Sequence, residues 1–571
     1  MSASRDARIP ARRSLPRAAA LAAALAASLG LTAVLPATAS AAPVSNATTV
    51  TGTLLQAYPE SATPDGAVDV PLSWVQTSGG AAVRVPTSAM QDVAAGSTVR
   101  VTVGAQLPPV TAQDQNLTPA REVLTGSVTA APVAAAAPTT PITDAVTVVL
   151  VTPPGGVPDG VTPEQIADTV NGPVASFWSQ QTGGAIRLGV AAAHDWVSTT
   201  AGCSTPTTMW DQAAAAVHFV AGPGQHLLVY VSSKPGNLAG CSYALGEVGS
   251  SLHSGGRAYV RDTIPSVIAH ELGHNFGLGH SSGRQCARTV DSGTCRTVGY
   301  RDYYDVMGVS WGQLGSLNVA QAARLGVLPA AARQDVPLRG GAATVTLAPL
   351  SEQAGTRAIR MIDVDGTTYW LEYRTPTGQD AWLGNSEDVY GLDSGVLLHR
   401  TGALPDTSLL LDGTPSAPAG WDADLQDALP VGTPVSIAGG HFSITVQGLS
   451  DAGAVVRVTP SAPPAAAAAA PAPRVPQGVV LPSGTARIVT RTQVRAQTAA
   501  PVAPVPAPVV VPAVAPVRPS VGAVAAGHGS PRLAPAAERT LLGSAWVPAL
   551  GALLLLVLGF VLLRVRRVFS R

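Results

Sequence analysis

The chain has 571 residues, with 35 basic and 35 acidic side chains and a formal net charge of +0. That length exceeds one compact core, so several domains are expected. No strongly basic block sits inside a foldable segment, so the sequence carries no nucleic-acid signature.

Arg5, Arg8, Arg12, Arg13 and Arg17 form a positive amino-terminal region. An apolar run over 18–35 and the small residues Ala37 to Ala41 follow, the pattern of a signal peptide spanning 1–41. Residues 44–130 read as a small β domain. Thr49–Leu54, Ala82–Val85 and Ser97–Val103 alternate apolar with polar side chains, as half-buried strands do. An Ala/Pro-rich linker occupies 131–141.

Over 142–333 strand and helix signals alternate, the pattern of an α/β domain. Val146–Val151 is a mostly β-branched run, expected as a buried strand. Thr162-Pro163-Glu164 opens a helix running to about Gln181, and Met209–Val217 gives a second helix. Ile186–Val190 and Leu227–Val231 read as further strands, and Ala258–Val260 as a short edge strand. All four cysteines fall in this domain: Cys203, Cys241, Cys286 and Cys295. Exported chains oxidise such residues, so two disulfides are expected, and four cysteines allow three pairings. Cys203–Cys241 with Cys286–Cys295 is the favoured set.

Residues 334–459 return to strands, with Asp365-Gly366 as a hairpin signal, and a β-sandwich is expected. Glu372 and Arg374 should share one face of a strand. The segment 460–540 is rich in Pro, Ala and Val and nearly free of aromatics, so it cannot bury enough surface to fold and reads as a stalk. Residues 541–563 carry no charge and are long enough to cross a bilayer. Arg564, Arg566, Arg567 and Arg571 follow, which puts the tail 564–571 in the cytoplasm and everything before the helix outside.

One stretch carries chemistry. His270-Glu271-Leu272-Gly273-His274 sets two imidazoles four positions apart, on one face of a helix. Glu271 flanks that face, where it reaches a metal-bound water without becoming a ligand. Gly277 can adopt a positive φ and end the helix sharply, so that the returning chain brings His280 to the same point. Three neutral imidazoles leave a fourth position open, as a catalytic zinc site requires. A bare H-E-x-x-H arises by chance in roughly one protein in a hundred of this size, so Gly277 and His280 carry the discrimination. Thr263 or Asp262 is expected to cap the helix, with Pro265 in its first turn. His194, His218, His226 and His253 lack ligand spacing and are expected on the surface or in the core.

The run His270 to His280, with Asp305-Val306-Met307-Gly308 downstream, resembles the metzincin clan of zinc peptidases. Asn275 and the Asp-Val-Met-Gly turn look most like its gametolysin-like and reprolysin-like branches. The resemblance covers about 142–333 and none of 44–140. It implies a metzincin-like α/β fold, a mixed twisted sheet with an active-site helix, here flanked by the amino-terminal β domain and the carboxy-terminal β-sandwich. It implies one zinc ion on His270, His274 and His280, Glu271 as general base, Met307 as the apolar floor under the metal, and a polypeptide substrate. No cysteine precedes Cys203, so a thiol-on-zinc latency switch is unavailable. Val309 stands where some metzincins place a tyrosine ligand, and Tyr303 and Tyr304 before the turn are expected to be structural. The expectation is an exported, membrane-anchored zinc endopeptidase. The competing reading is a surface adhesin or scaffold with a protease-like, non-cleaving domain, against which the intact Glu271 and histidines argue.

Overall fold

The computed structural model describes residues 47–61, 71–109, 116–132, 142–308, 312–416 and 424–461. The leader at 1–41, most of the linker, Val309, the stalk beyond Ser461, the apolar segment 541–563 and the tail lie outside the described residues.

Ten strands make the first sheet among the described residues. β1 (Thr48–Pro59), β2 (Leu72–Gln76), β3 (Ala82–Val85), β4 (Thr98–Gln106) and β5 (Arg121–Ala130) come from the amino-terminal region. β6 (Asp144–Thr152), β7 (Leu188–Ser198), β8 (Gln225–Val231), β9 (Ala244–Glu247) and β10 (Gly256–Val260) come from the α/β region. The order is β3-β2-β1-β9-β10-β8-β6-β7, with β4 pairing β1 and β5 pairing β4. β7, β6, β8 and β10 are parallel, whereas β9 runs antiparallel to β10. The β-branched run in β6 is buried on both faces. Val146, Val148 and Leu150 enter one core and Val149 and Val151 the other, as a period of two demands.

Four helices belong to this sheet. α1 (Pro163–Thr169) begins at a capping box in which Thr162 and Gln165 exchange hydrogen bonds. It passes through a π-helical turn at Val170–Val174 into α2 (Ala175–Gln181). Pro173 within that turn has no N–H to donate, so the single helix expected over 162–181 is widened there. α3 (Pro206–Ala216) buries Met209, Trp210 and Ala213 on one face of the sheet. α4 (Pro265–Asn275) packs on the other, where Val267, Ile268, Leu272 and Phe276 meet Ile166, Val174, Phe177 and Trp178.

Two sequence expectations differ from this arrangement. Ala258–Val260 lies in β10, between β8 and β9, and is fully interior, so it is not an edge. β9 is one edge of the α/β strands, opposite β7, and β1 covers it. The amino-terminal strands therefore continue the sheet of the α/β region. Ala57, Leu72, Trp74 and Leu117 share one core with Met209, Trp210, Leu245 and Tyr259. An exposed strand edge is a template for pairing, and local alternation does not say which edge a strand will find.

The rest of the described chain is mostly β. In order it forms β11 (His280–Cys286), β12 (Cys295–Val298), α5 (Val319–Arg324), β13 (Arg333–Val336), β14 (Ala343–Leu347), β15 (Ala358–Ile362) and β16 (Thr368–Arg374). Then follow β17 (Gly395–Thr401), β18 (Asp406–Leu411), β19 (Val435–Ile437), β20 (Phe442–Ser450) and β21 (Gly453–Pro460). Seven strands are ordered β12-β11-β18-β17-β16-β15-β13, and four are ordered β14-β21-β20-β19. Ile359, Met361 and Leu398 of the larger sheet share a core with Leu347, Phe442 and Val456 of the smaller. β11 pairs parallel with β18, so the larger sheet runs across position 333 and joins residues 280–298 to residues 395–411. Asp365-Gly366 turns between β15 and β16, with Gly366 at φ 87°. Glu372 and Arg374 form a buried ion pair at 2.7 Å.

Cys203 is bonded to Cys241 and Cys286 to Cys295, the latter directly opposite each other in β11 and β12. Among the described residues no helix is long and apolar enough to cross a membrane.

Candidate metal centre

α4 carries His270, Glu271 and His274, all fully buried. Its amino end has no side-chain cap. The capping position is Ile264, and Asp262 instead accepts from the Thr263 N–H at 2.7 Å and the Tyr243 hydroxyl at 3.0 Å. Pro265 in the first turn has no N–H to satisfy, which lessens the need for a cap. The carboxy end closes in two reverse hydrogen bonds, Gly277 N–H to His274 O at 2.9 Å and Leu278 N–H to Gly273 O at 3.1 Å. Gly277 takes φ 93°, a conformation that disfavours a side chain, and the chain reverses there.

The reversal delivers His280 to the first residue of β11. Two contacts from the carboxy-terminal strands hold it. The His280 N–H donates to Pro405 O at 2.8 Å, and the Gly279 N–H donates to the Thr407 hydroxyl at 2.9 Å. A Cβ on Gly279 would stand 2.2 Å from Pro405 O, so only glycine allows this approach. The third histidine is thus seated by residues more than a hundred positions downstream.

Ring orientation is set from behind. His270 Nδ1 donates to Val306 O at 2.8 Å and His274 Nδ1 donates to Leu278 O at 2.9 Å, which leaves each Nε2 facing inward as an acceptor. Val306 precedes Met307, whose sulfur lies under the helix: a Cβ on Gly273 would be 2.4 Å from Met307 Sδ. The turn is held by Asp305, which accepts from the Met307 N–H at 2.7 Å, the Ser281 hydroxyl at 2.8 Å and the Asn318 N–H at 2.5 Å. Burial, then the charge of Asp302, pushes the Asp305 carboxyl up to about 7. Tyr303 stacks on Tyr390, and the Tyr304 hydroxyl donates to Asp393, so both serve packing away from the histidines. Of the tyrosines before the turn, Tyr300 reaches the site, its ring centroid 3.7 Å from that of His280.

The structure adds a residue that no sequence pattern indicated. Glu60, the residue after β1, places Oε1 3.3 Å from Nε2 of both His274 and His280 and 3.6 Å from Nε2 of His270. Glu60 and the three histidines offer ligand atoms within 4.8 Å of one another. Four ligands about 2.0–2.1 Å from one ion sit at tetrahedron corners about 3.3–3.4 Å apart, so the Glu60 separations fit such a centre. Three imidazoles and a carboxylate, with no thiolate, make a nitrogen and oxygen set suited to zinc. Burial holds His274 below its ordinary value and pushes His280 down to about 3, which keeps both in the neutral, ligating form. Burial alone would raise Glu60. The imidazoles gathered around it, those of His270 and His280 foremost, outweigh that and hold it well below the usual carboxylate range.

Glu271 projects beside this cluster against β9. Burial, then the charge of Glu60, pushes its carboxyl well above the ordinary value. Neither of its oxygens has a hydrogen-bond partner among the described residues. Asn275 fastens the end of α4 to the sheet, donating to Glu247 O at 2.8 Å and contacting His226 Nδ1 at 3.0 Å through Oδ1. His226 is fully buried and contacts Asp144, so it braces the core and stands apart from the histidine cluster.

Residues 164–281 match the family model of the M12B metallopeptidases, reprolysin-like. The matched stretch contains His270, Glu271, His274 and His280, and ends before Met307. No curated protein matches the chain. With that match and the Glu60–histidine cluster, the protein is a zinc metallopeptidase of metzincin type.

Proposed function

We propose that this protein is an exported endopeptidase of the reprolysin-like and gametolysin-like kind, tethered by residues 541–563 with its catalytic region outside the cell. The positive leader before an apolar run, and the uncharged segment followed by four arginines, support export and anchoring. The single observation that carries the chemistry is Glu271, buried and without a hydrogen-bond partner among the described residues, beside three convergent histidines.

His270, His274 and His280 would hold the metal, and Met307 would floor it. Zinc there would supply Lewis-acid polarisation of the scissile carbonyl and of water. Glu271 accepts the proton of the attacking water and returns it to the leaving amine. Burial, then the charge of Glu60, raises its affinity for protons, as a proton acceptor requires. A substrate strand would add to β9, an edge of the α/β strands, by backbone pairing.

The test is Glu271→Ala measured for zinc content and for cleavage of a generic protein substrate. Zinc should stay at one per chain while the turnover of any cleaving form of the chain falls by on the order of 10²–10⁴. Substantial residual proteolysis would sink the assignment of the base. Chelator-insensitive cleavage, or none from the parent in any form, would favour the scaffold reading.

A further inference from the structure

β1 lies where a substrate strand would lie. It runs antiparallel to β9, pairing Ala57 with Glu247, Tyr58 with Gly246 and Pro59 with Leu245. The ladder continues one residue further: the Glu60 N–H donates to Ala244 O and the Tyr243 N–H donates to Glu60 O, both at 2.9 Å. Glu60 therefore has its backbone fixed at both polar groups, and its side chain is aimed by the pleat. Tyr58, two residues earlier, faces the same way. Its ring packs on His274 at 4.8 Å and on His280 at 4.5 Å between centroids. Glu60 is 2% exposed and Tyr58 1%, so these two side chains close the space over the histidines.

We infer that residues 48–61 are a resident intramolecular ligand of the peptidase site, with Glu60 as the blocking fourth ligand of the metal. The inference rests on the peptidase reading above and goes beyond it. The edge that would take substrate is paired, and the position that would take water is held by a carboxylate. A carboxylate does here what a thiol could not, since no cysteine precedes Cys203.

The occupant is built in firmly. Trp74 and Leu72 of β2 are buried in the same core as Trp210 and Tyr259. Gln76 reaches Asp211 of α3 at 3.3 Å, and Arg257 of β10 binds Glu247 and Asp211 beside it. The amino-terminal region is therefore a strapped-on inhibitor, and the full chain is a latent form.

The experiment uses the full chain loaded with Co(II) and titrated with acetohydroxamate, read by the visible spectrum of the ion. Wild type is compared with Glu60→Ala and with Glu60→Gln, which keeps the side-chain shape should the alanine variant fold poorly. Against a tethered competitor, removal of the carboxylate should tighten hydroxamate binding by on the order of a hundredfold. Equal affinity in wild type and a folded variant overturns the inference. Cleavage of casein is measured beside it to separate the two readings. Variants that bind hydroxamate tightly yet cut nothing, even after limited proteolysis of the amino-terminal region, keep the block and retire the peptidase reading. Wild type that cuts as fast as the variants retires the block and keeps the peptidase.

Discussion

Glu271 of α4 lies directly against Gly246 of β9. A Cβ built on Gly246 would stand 2.5 Å from Glu271 Oε2, 3.0 Å from its main-chain oxygen and 3.2 Å from His274 Cβ. The strand and the helix thus meet at a point where only hydrogen fits. That contact sets both the angle of the Glu271 side chain and the height of β9 above the histidines.

Gly246→Ala should therefore displace the Glu271 carboxylate while sparing the metal. Overpacking of this kind costs about 1–3 kcal/mol of stability. In the Glu60→Ala background, turnover is expected to fall more than tenfold at unchanged zinc content, the order of effect a small misplacement of a catalytic group produces. Paired kcat and zinc measurements check it, and an unaltered kcat would show that Glu271 has room the structure does not give it.

The buried histidines make the metal-free protein acid-sensitive. His280 is pushed down to about 3 from 6.5. Between those values the unfolded chain binds a proton that the folded chain refuses, so stability rises with pH across the window and is lost on acidification. With chelator present, the Tm of wild type should drop between pH 7 and pH 4 by more than that of His280→Gln. Parallel Tm curves for the two proteins would contradict the assignment of His280 to that window.

The two disulfides should differ in worth. Cys203 and Cys241 are 38 positions apart and Cys286 and Cys295 only 9. Loop-closure entropy then predicts a loss of about 4 kcal/mol for the longer bridge and about 2.5 kcal/mol for the shorter. Denaturant unfolding of the two paired Cys→Ser variants measures the order, and a reversal would mean that native contacts outweigh loop length.

Much of the site was readable because its determinants are local. His270, Glu271 and His274 owe their convergence to helical periodicity. His280 owes its return to Gly277, whose φ of 93° any reader of the motif would expect. Thr162-Pro163 announced α1 by cap chemistry, and Asp365-Gly366 announced a hairpin. Where a local rule had a rival, it misled. Asp262 and Thr263 are good capping residues, yet Asp262 is spent on Tyr243 and the neighbouring backbone. Ala258–Val260 is short enough for an edge strand, yet its burial on both faces belongs to an interior one.

By itself, then, the sequence determined the helix, its sharp end and the convergence of three histidines beside Glu271, since each follows from spacing along a few turns of chain. Only the tertiary structure decided what stands over them and what holds them. Glu60 precedes His274 by 214 residues, and nothing in Tyr58-Pro59-Glu60 marks it as a ligand until β1 pairs with β9. Pro405 and Thr407 carry no motif either, and they seat His280 only because β18 lies beside β11. Strand pairing joins distant segments through backbone groups that every residue shares, so the partner is written in packing and edge geometry and leaves no local mark.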